Sequence, residues 1–338
     1  MKMQPDVSIV IPCRNEENYI AACVDSMLQQ DYPNIEVLVC DGMSDDGTRS
    51  VLKKYADNPK VRVLDNPARV TPIALNLGIQ NAKGEIVIIF GAHATMNVDY
   101  VSKSVETFAI DEKIACVGGV LNQVDENEEA AVISKAMSSV FGVGNAHFRT
   151  GTKSGFVDTV AFGAYKKTVF QKVGLFDEDL VRNQDDEFNF RVLKGGFKIY
   201  LNPEIQADYY VRGDFQKLWR QYYQYGYWKV YVNRKHKTVT TLRQLVPALM
   251  VSCFGLTVLL AFFISAFWNL FILESFVYLL AATHFAEKKT GFNKDIWGVM
   301  KSFFVLHFSY GSGYLKGVFD FLILNKKQVN QNAQKLSR

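Results

Sequence analysis

Apolar residues in the first part of the chain come in short, solid runs separated by polar stretches. Val7-Ser8-Ile9-Val10-Ile11-Pro12 is β-branched and closed by proline, so it predicts a buried strand. Residues 35–40, 61–64, 85–90 and 114–121 read the same way. Between them lie helical stretches. Asn15-Glu16-Glu17 opens one, with a cap-type residue followed by acids. Residues 48–56 and 99–110 are two more, and Thr71-Pro72 starts another with proline at its first position. Strands alternating with helices at this spacing predict an α/β fold, a mostly parallel sheet with helices on both faces. There is no internal repeat and no low-complexity segment.

The pattern changes in the last third. Residues 244–273 hold no charge, and the single Glu274 precedes the next charge at Glu287. A membrane-crossing helix needs about 20 apolar residues. The stretch therefore predicts a helical hairpin, with spans near 245–266 and 269–286 and a turn at Trp268-Asn269. A buried core helix shows a polar face more often than not, and residues 246–267 show none. Upstream, residues 219–229 interleave Trp and Tyr with Arg and Lys, and Arg234-Lys235-His236-Lys237 adds a basic cluster. Such residues suit the headgroup level. With Lys288-Lys289 behind the hairpin, positive charge on both sides predicts that both ends are cytoplasmic, a multi-pass protein of the bacterial inner or plasma membrane. A third apolar segment, 296–315, contains Lys301, His307 and Gly311-Ser312-Gly313. A third crossing would export the basic tail from Lys326 to Arg338, so an interfacial or re-entrant segment is expected there. Met1 to Asp6 shows no apolar signal core, which keeps the front domain cytoplasmic.

Composition sharpens this division. The net charge of +4 over 338 residues is split. Residues 1–211 carry 21 basic and 29 acidic side chains, and residues 212–338 carry 17 and 5. With 49% hydrophobic and 21% charged residues the chain is not disordered. Its five cysteines form no metal-type spacing and read as reduced core residues. The expected domains are a catalytic one over 1–230, a basic juxtamembrane segment over 231–244, the hairpin over 245–286, and the remainder over 287–338. Membrane lipids are expected partners; nucleic acid is not.

In parallel sheets ligands sit beyond the carboxyl ends of the strands. Polar clusters stand at three such ends: Cys13-Arg14-Asn15-Glu16, Asp41-Gly42-Met43-Ser44-Asp45-Asp46-Gly47-Thr48, and Gly91-Ala92-His93. Any one of them could be ordinary turn chemistry. Three that converge on one edge point to a site. The chain has neither GxxxxGK[ST] nor GxGxxG, so phosphate would be met by a metal or by basic side chains.

These blocks resemble the opening of family 2 glycosyltransferases of the GT-A fold, where a strand ending in Pro is followed by Asn-Glu and then by Asp-x-x-Ser-x-Asp-Gly-Thr. Gly174-Leu175-Phe176-Asp177-Glu178, and Asn183-Gln184-Asp185-Asp186-Glu187 followed by Arg191, resemble the acceptor side of that family. The likeness covers roughly residues 5–230. The apolar tail resembles the membrane-attached branch that builds exopolysaccharides, typified by succinoglycan glucosyltransferases. The resemblance implies that Asp41 contacts the base or ribose of a nucleotide sugar. It places Pro12, Arg14, Asn15, Glu16, Asp46, Arg69 and Gly91 around the donor. It makes Asp185 the general base, with Asp186 or Glu187 as substitutes if the register differs. The implied reaction is inverting transfer of a single hexose, glucose from UDP-glucose in the first instance, to a saccharide on a polyprenyl lipid. Transfer to polyprenyl phosphate, or an inactive membrane scaffold, are the alternatives.

The sequence also departs from the family. Where the family carries Asp-x-Asp for a divalent cation, this chain reads Gly91, Ala92 and His93. Imidazole suits Mn²⁺ better than Mg²⁺, so His93 is the one candidate ligand. The alternative is charge neutralisation by Arg14, Arg69 or Lys153. The processive Gln-x-x-Arg-Trp pattern is matched only by Gln216-Lys217-Leu218-Trp219-Arg220, with the last two residues exchanged. A single-sugar transferase is expected rather than a synthase.

Overall fold

The computed structural model describes residues 5–144, 146–151, 153–211, 213–240, 242–291 and 293–326. Met1 to Gln4 and the tail beyond Lys326 lie outside the described residues. In chain order the elements are β1 (Val7–Cys13), α1 (Ile20–Leu28), β2 (Ile35–Asp41), α2 (Thr48–Leu52), β3 (Val61–Asp65), α3 (Thr71–Asn81), β4 (Ile86–Ile89), β5 (Ala94–Met96), α4 (Tyr100–Thr107) and β6 (Ile114–Val124). There follow α5 (Glu128–Met137), α6 (Val140–Val143), α7 (His147–Thr150), β7 (Gly155–Val157), β8 (Ala161–Lys166), α8 (Lys167–Val173), α9 (Gln184–Lys194) and β9 (Lys198–Tyr210). The chain continues as α10 (Phe215–His236), α11 (Val246–Ala261), α12 (Ala266–Thr290) and α13 (Ile296–Gly317).

The chain forms two compact units. The first comprises the residues up to Val124 together with Ala146–Tyr210, and the second the rest. The helix α10, counted with the catalytic domain in the sequence reading, clusters with the second unit.

The first unit is a GT-A-like sheet in the order β3-β2-β1-β4-β8-β6-β9-β5, with β7 on β9. The run β3-β2-β1-β4 is parallel, as the solid apolar runs predict. The other half is mixed: β8 pairs antiparallel with β4 and β6, and β5 and β7 pair antiparallel with β9. Side chains alternate across the sheet. Ile9, Ile11, Val37 and Ile88 pack with Ile20, Val24 and Met27 of α1 on one face. Val10, Leu38 and Val87 pack with Ala74, Leu75 and Ile79 of α3 on the other. Both faces are covered, which is why these strands lack a polar side. The register sets Pro12 beside Cys40, Cys13 beside Asp41, and Asp41 beside Asp65, aligning three carboxyl ends.

In the second unit α10 and α13 cross at backbone distance. A Cβ on Gly226 would lie 2.0 Å from the carbonyl oxygen of Tyr310, and one on Gly313 equally close to that of Tyr223. This explains the Gly311-Ser312-Gly313 run. The helix α13 is continuous, and it buries Val299, Phe303, Leu306 and Tyr310 within this unit. It is a core helix rather than a broken re-entrant loop. Two helical stretches, Leu242–Ala261 and Ala266–Thr290, are long and apolar enough to cross a membrane. Their apolar side chains are largely exposed, Leu249 at 61% and Phe276 at 57%, unlike those of a soluble core helix. The turn lies at residues 262–265, not at Trp268-Asn269. The amides of Phe263 and Ile264 both donate to the Leu260 carbonyl, and Ser265 precedes α12, so Trp268 and Asn269 sit inside that helix.

Gly119 tests the sheet. It sits at a register shift between β6 and β9, where an added Cβ would fall 1.7 Å from the Ile205 carbonyl oxygen. Backbone cannot yield there as a side chain would. Gly119→Ala is expected to destabilise by about 3 kcal/mol. Gly155→Ala on β7, with no neighbour within 4 Å, should stay within about 0.5 kcal/mol of the parent. Denaturant unfolding of the purified chain checks the pair, and equal stabilities would show the β6–β9 placement to be wrong.

Candidate active site

The parallel half delivers the polar clusters at the ends of β1 and β2 to one place. Asp41 ends β2 and is fully buried. Its carboxylate accepts bonds from Ser44 Oγ at 2.5 Å and Arg49 Nε at 2.6 Å, and Arg49 also pairs with Asp65 at the end of β3. A buried carboxylate needs such partners. This network shapes the loop 42–48. The loop in turn is laced to the residues after β1. Asn15 adopts a left-handed backbone (φ 55°) and exchanges bonds with Asp45, its Nδ2 donating at 2.7 Å and its Oδ1 accepting from the Asp45 amide at 3.0 Å. Thr48 Oγ1 accepts from the Glu16 amide at 2.7 Å. Glu17 accepts from the Gly47 amide at 2.7 Å, and Asp46 accepts from the amides of Glu17 and Thr48. Burial pushes the Asp46 carboxyl up, but the bonds from Thr48 and Glu17 outweigh it and hold the group below its ordinary value.

The donor residues named from sequence are thus only partly free to meet a ligand. Pro12 and Arg14 are half-buried at the end of β1, where Arg14 packs so that a Cβ on Gly42 would lie 3.2 Å from its own. Asn15 is exposed and Glu16 is buried. Asp41 is fully buried, with its carboxylate bonded to Ser44 and Arg49. Arg69 is exposed, in a left-handed turn after β3, and Lys153 is also exposed.

The third cluster, after β4, joins the first through His93. Its Nδ1 lies 3.6 Å from Glu16 Oε1, while its Nε2 is buried without a hydrogen-bond partner. Tyrosines surround it: Tyr209 at 5.1 Å and Tyr19 at 6.4 Å between ring centroids. The β5–β9 pairing fixes this contact, setting Ala94 opposite Tyr209. Gly91 is pressed against β8, and a Cβ there would lie 2.8 Å from the ring of Phe162. Phe162 is itself unusual, with a left-handed φ of 50°, a conformation bulky residues rarely adopt. Its ring lies 4.3 Å from that of Phe90, and its carbonyl accepts from Tyr100 Oη at 2.6 Å.

The residues present do not make a metal centre by themselves. Among the described residues no group of three His, Cys, Asp or Glu side chains is placed to hold an ion. His93 and Glu16 are two potential ligands where a resident metal needs more.

The acidic cluster opens α9 behind Asn183, whose backbone is left-handed. Asp185 is exposed and Asp186 is half-buried. Glu187 is fully buried and held by Arg191, with Nε to Oε1 at 2.9 Å and Nη2 to Oε2 at 2.8 Å. Arg191 also donates to the carbonyls of Val173 and Leu175, tying α9 to the loop after α8. Glu187 is therefore a buried carboxylate paired within the fold. Beside this helix Tyr165 is buried among Cys116 and Asn189, and burial first, then the Cys116 thiol, push its phenol well above the ordinary value.

Sequence reading missed two arginines. Arg49 belongs with Asp41, but a half-buried helix position carries no sign of that. Arg149 on α7 stacks on Phe148 and Tyr209, with its guanidinium carbon 5.4 and 5.7 Å from the ring centres. Its Nη1 is buried with no hydrogen-bond partner. It falls in a stretch with no periodicity, and only the fold brings it to Tyr209.

Residues 8–174 match the family described as Glycosyl transferase family 2. A dolichyl N-acetyl-α-D-glucosaminyl phosphate 3-β-D-2,3-diacetamido-2,3-dideoxy-β-D-glucuronosyltransferase of Methanococcus voltae is 38% identical over 239 residues, 68% of this chain and 74% of the relative. Succinoglycan biosynthesis protein ExoA of Rhizobium meliloti is 30% identical over 243 residues, 71% and 73% of the two chains. Among solved structures, a mannosyltransferase of Pyrobaculum calidifontis in complex with GDP-Man and Mn²⁺ superposes with a TM-score of 0.62 at 18% identity, covering 94% of this chain and 88% of its own. That likeness concerns the fold.

The two acidic roles on α9 separate by stability. Glu187→Ala leaves Arg191 buried and unpaired and is expected to cost about 3–5 kcal/mol. Asp185→Asn, at an exposed position, should change stability by no more than about 0.5 kcal/mol. Equal losses on denaturant unfolding would contradict the assignment of Glu187 as the structural member.

Proposed function

The chain belongs to glycosyltransferase family 2, and on that premise we propose an inverting transferase working at the cytoplasmic face of a membrane. Its donor is a nucleotide sugar, UDP-glucose in the first reading. Its acceptor is a saccharide carried on a polyprenyl lipid, in the assembly of a cell-surface or exopolysaccharide glycan. The names of the two relatives, one acting on a dolichyl-linked sugar phosphate and one in succinoglycan biosynthesis, support a lipid-linked or polysaccharide acceptor. The helices α11 and α12 support residence in the membrane as a hairpin with both ends cytoplasmic. An apolar groove of about 770 Å³ among α11, α12 and α13, lined by Val251, Phe254, Phe271, Tyr278 and Phe308, suits a prenyl chain. Confinement to the surface raises the effective concentration of such an acceptor.

The observation that carries the reading is the state of the α9 carboxylates. Glu187 is consumed by Arg191, and Asp185, six residues before that arginine, is left exposed. In the proposed reaction Asp185 takes the proton of the acceptor hydroxyl as its oxygen attacks the anomeric carbon. The bond to the donor diphosphate breaks, the nucleoside diphosphate leaves with the electron pair, and the configuration inverts. A positioned base contributes about 10²–10⁴-fold to such a step.

Asp185→Asn is therefore expected to lower kcat by at least about 100-fold while nucleotide binding is retained. Turnover is measured in membranes with a panel of nucleotide sugars on lipid-linked saccharides and on lipid monophosphate. Near-parental kcat in the variant would remove Asp185 from the mechanism. Transfer to the lipid monophosphate alone would replace the saccharide acceptor with the simpler one.

A further inference from the structure

Two buried nitrogens in the first unit have no partner, Arg149 Nη1 and His93 Nε2, and they flank the same ring. The His93 ring is 5.1 Å from Tyr209, and the Arg149 guanidinium is 5.7 Å from it. A buried polar nitrogen left unpaired costs about 1–3 kcal/mol, and more when charged, so two such nitrogens on side chains packed against one ring call for a ligand. Two other guanidiniums of this unit are committed elsewhere: Arg49 to Asp41 and Asp65, and Arg191 to Glu187. Arg149 rests only on aromatic faces, and among the described residues no carboxylate pairs with it. The carboxylate nearest the spot, Glu16, lies 3.6 Å from Nδ1 of His93, the nitrogen away from the unpaired one.

We propose that Arg149 and His93, both packed against Tyr209, form the seat for the diphosphate of the nucleotide donor. The assignment rests on the reading of this chain as a nucleotide-sugar transferase. Arginine is suited to the task, because its planar fork meets two phosphate oxygens at once and keeps its charge at any working pH. His93 stands where the sequence lacks the family's carboxylates, at the carboxyl edge where diphosphate would lie. Arg149 adds positive charge to this edge from α7. The seat stabilises the charge that builds on the departing nucleoside diphosphate, and it requires no metal to be held by the protein.

Binding to the full-length purified chain in EDTA tests this by calorimetry, with UDP, GDP, the matching nucleosides and inorganic pyrophosphate as probes. The parent is expected to bind one nucleoside diphosphate more tightly than its nucleoside. Arg149→Ala should weaken the diphosphate about 10- to 100-fold, the loss of charge-assisted bonds, and leave the nucleoside unchanged. Arg149→Lys should recover part of the loss. Arg149→Gln, which keeps a planar head against Tyr209, serves if the alanine variant does not fold. Equal diphosphate affinity in parent and variants overturns the seat, and so does a parent that in EDTA binds the diphosphate no better than the nucleoside. The proposed function then still stands if Asp185→Asn abolishes transfer. A parent that binds none of the probes, with or without Mn²⁺, overturns both.

Discussion

The buried charge of Asp41 organises the site. A carboxylate at the end of a central strand, fully out of water, is stable only when paired, and Ser44 and Arg49 pair it. Because Arg49 also reaches Asp65, one guanidinium ties the ends of β2 and β3 together. The loop shaped by that pairing then holds Asn15, Glu16 and Glu17 through Asp45, Thr48 and Gly47. Glu16, so placed, faces His93. The order of dependence runs from a buried ion pair, through a loop, to the imidazole at the edge of the sheet.

Close backbone approach is the second organising constraint, and both units use it. In the sheet it lets β6 shift register against β9 at Gly119. In the helical unit it lets α10 and α13 cross at Gly226 and Gly313. The result in the second unit is a helix pair held by packing of backbone and aromatic groups, with Tyr227, Trp228 and Phe321 buried beside it. The apolar faces of α11 and α12 are not needed for that core and remain exposed, as a membrane anchor requires.

The parts of the molecule readable from sequence are those where one physical demand dominates. Strands covered on both faces need unbroken apolar runs, so β1 to β4 and the polar clusters at their ends were legible. Three-residue strands such as β5 and β7 leave no periodic signal, and their antiparallel pairing on β9 was not. The hairpin turn was misplaced because an apolar run carries few marks: Trp268-Asn269 looks like a break, whereas Ser265 is the residue before the helix. The expectation for Asp185 comes from the family resemblance, whereas the capture of Glu187 by Arg191 is a matter of packing. Arg149 was invisible for the same reason, since nothing local connects it to a tyrosine sixty residues later.

The contact between Gly91 and Phe162 has a bearing on substitution. A carboxylate at position 91 would need a Cβ where the Phe162 ring now lies, and that ring is wedged against Phe90 by a left-handed backbone. Substitution at position 91 alone thus meets a neighbour on another strand. The two positions are coupled: the Phe162 ring must shrink or shift before any side chain fits at 91, so tolerance of change at one is set by the residue at the other.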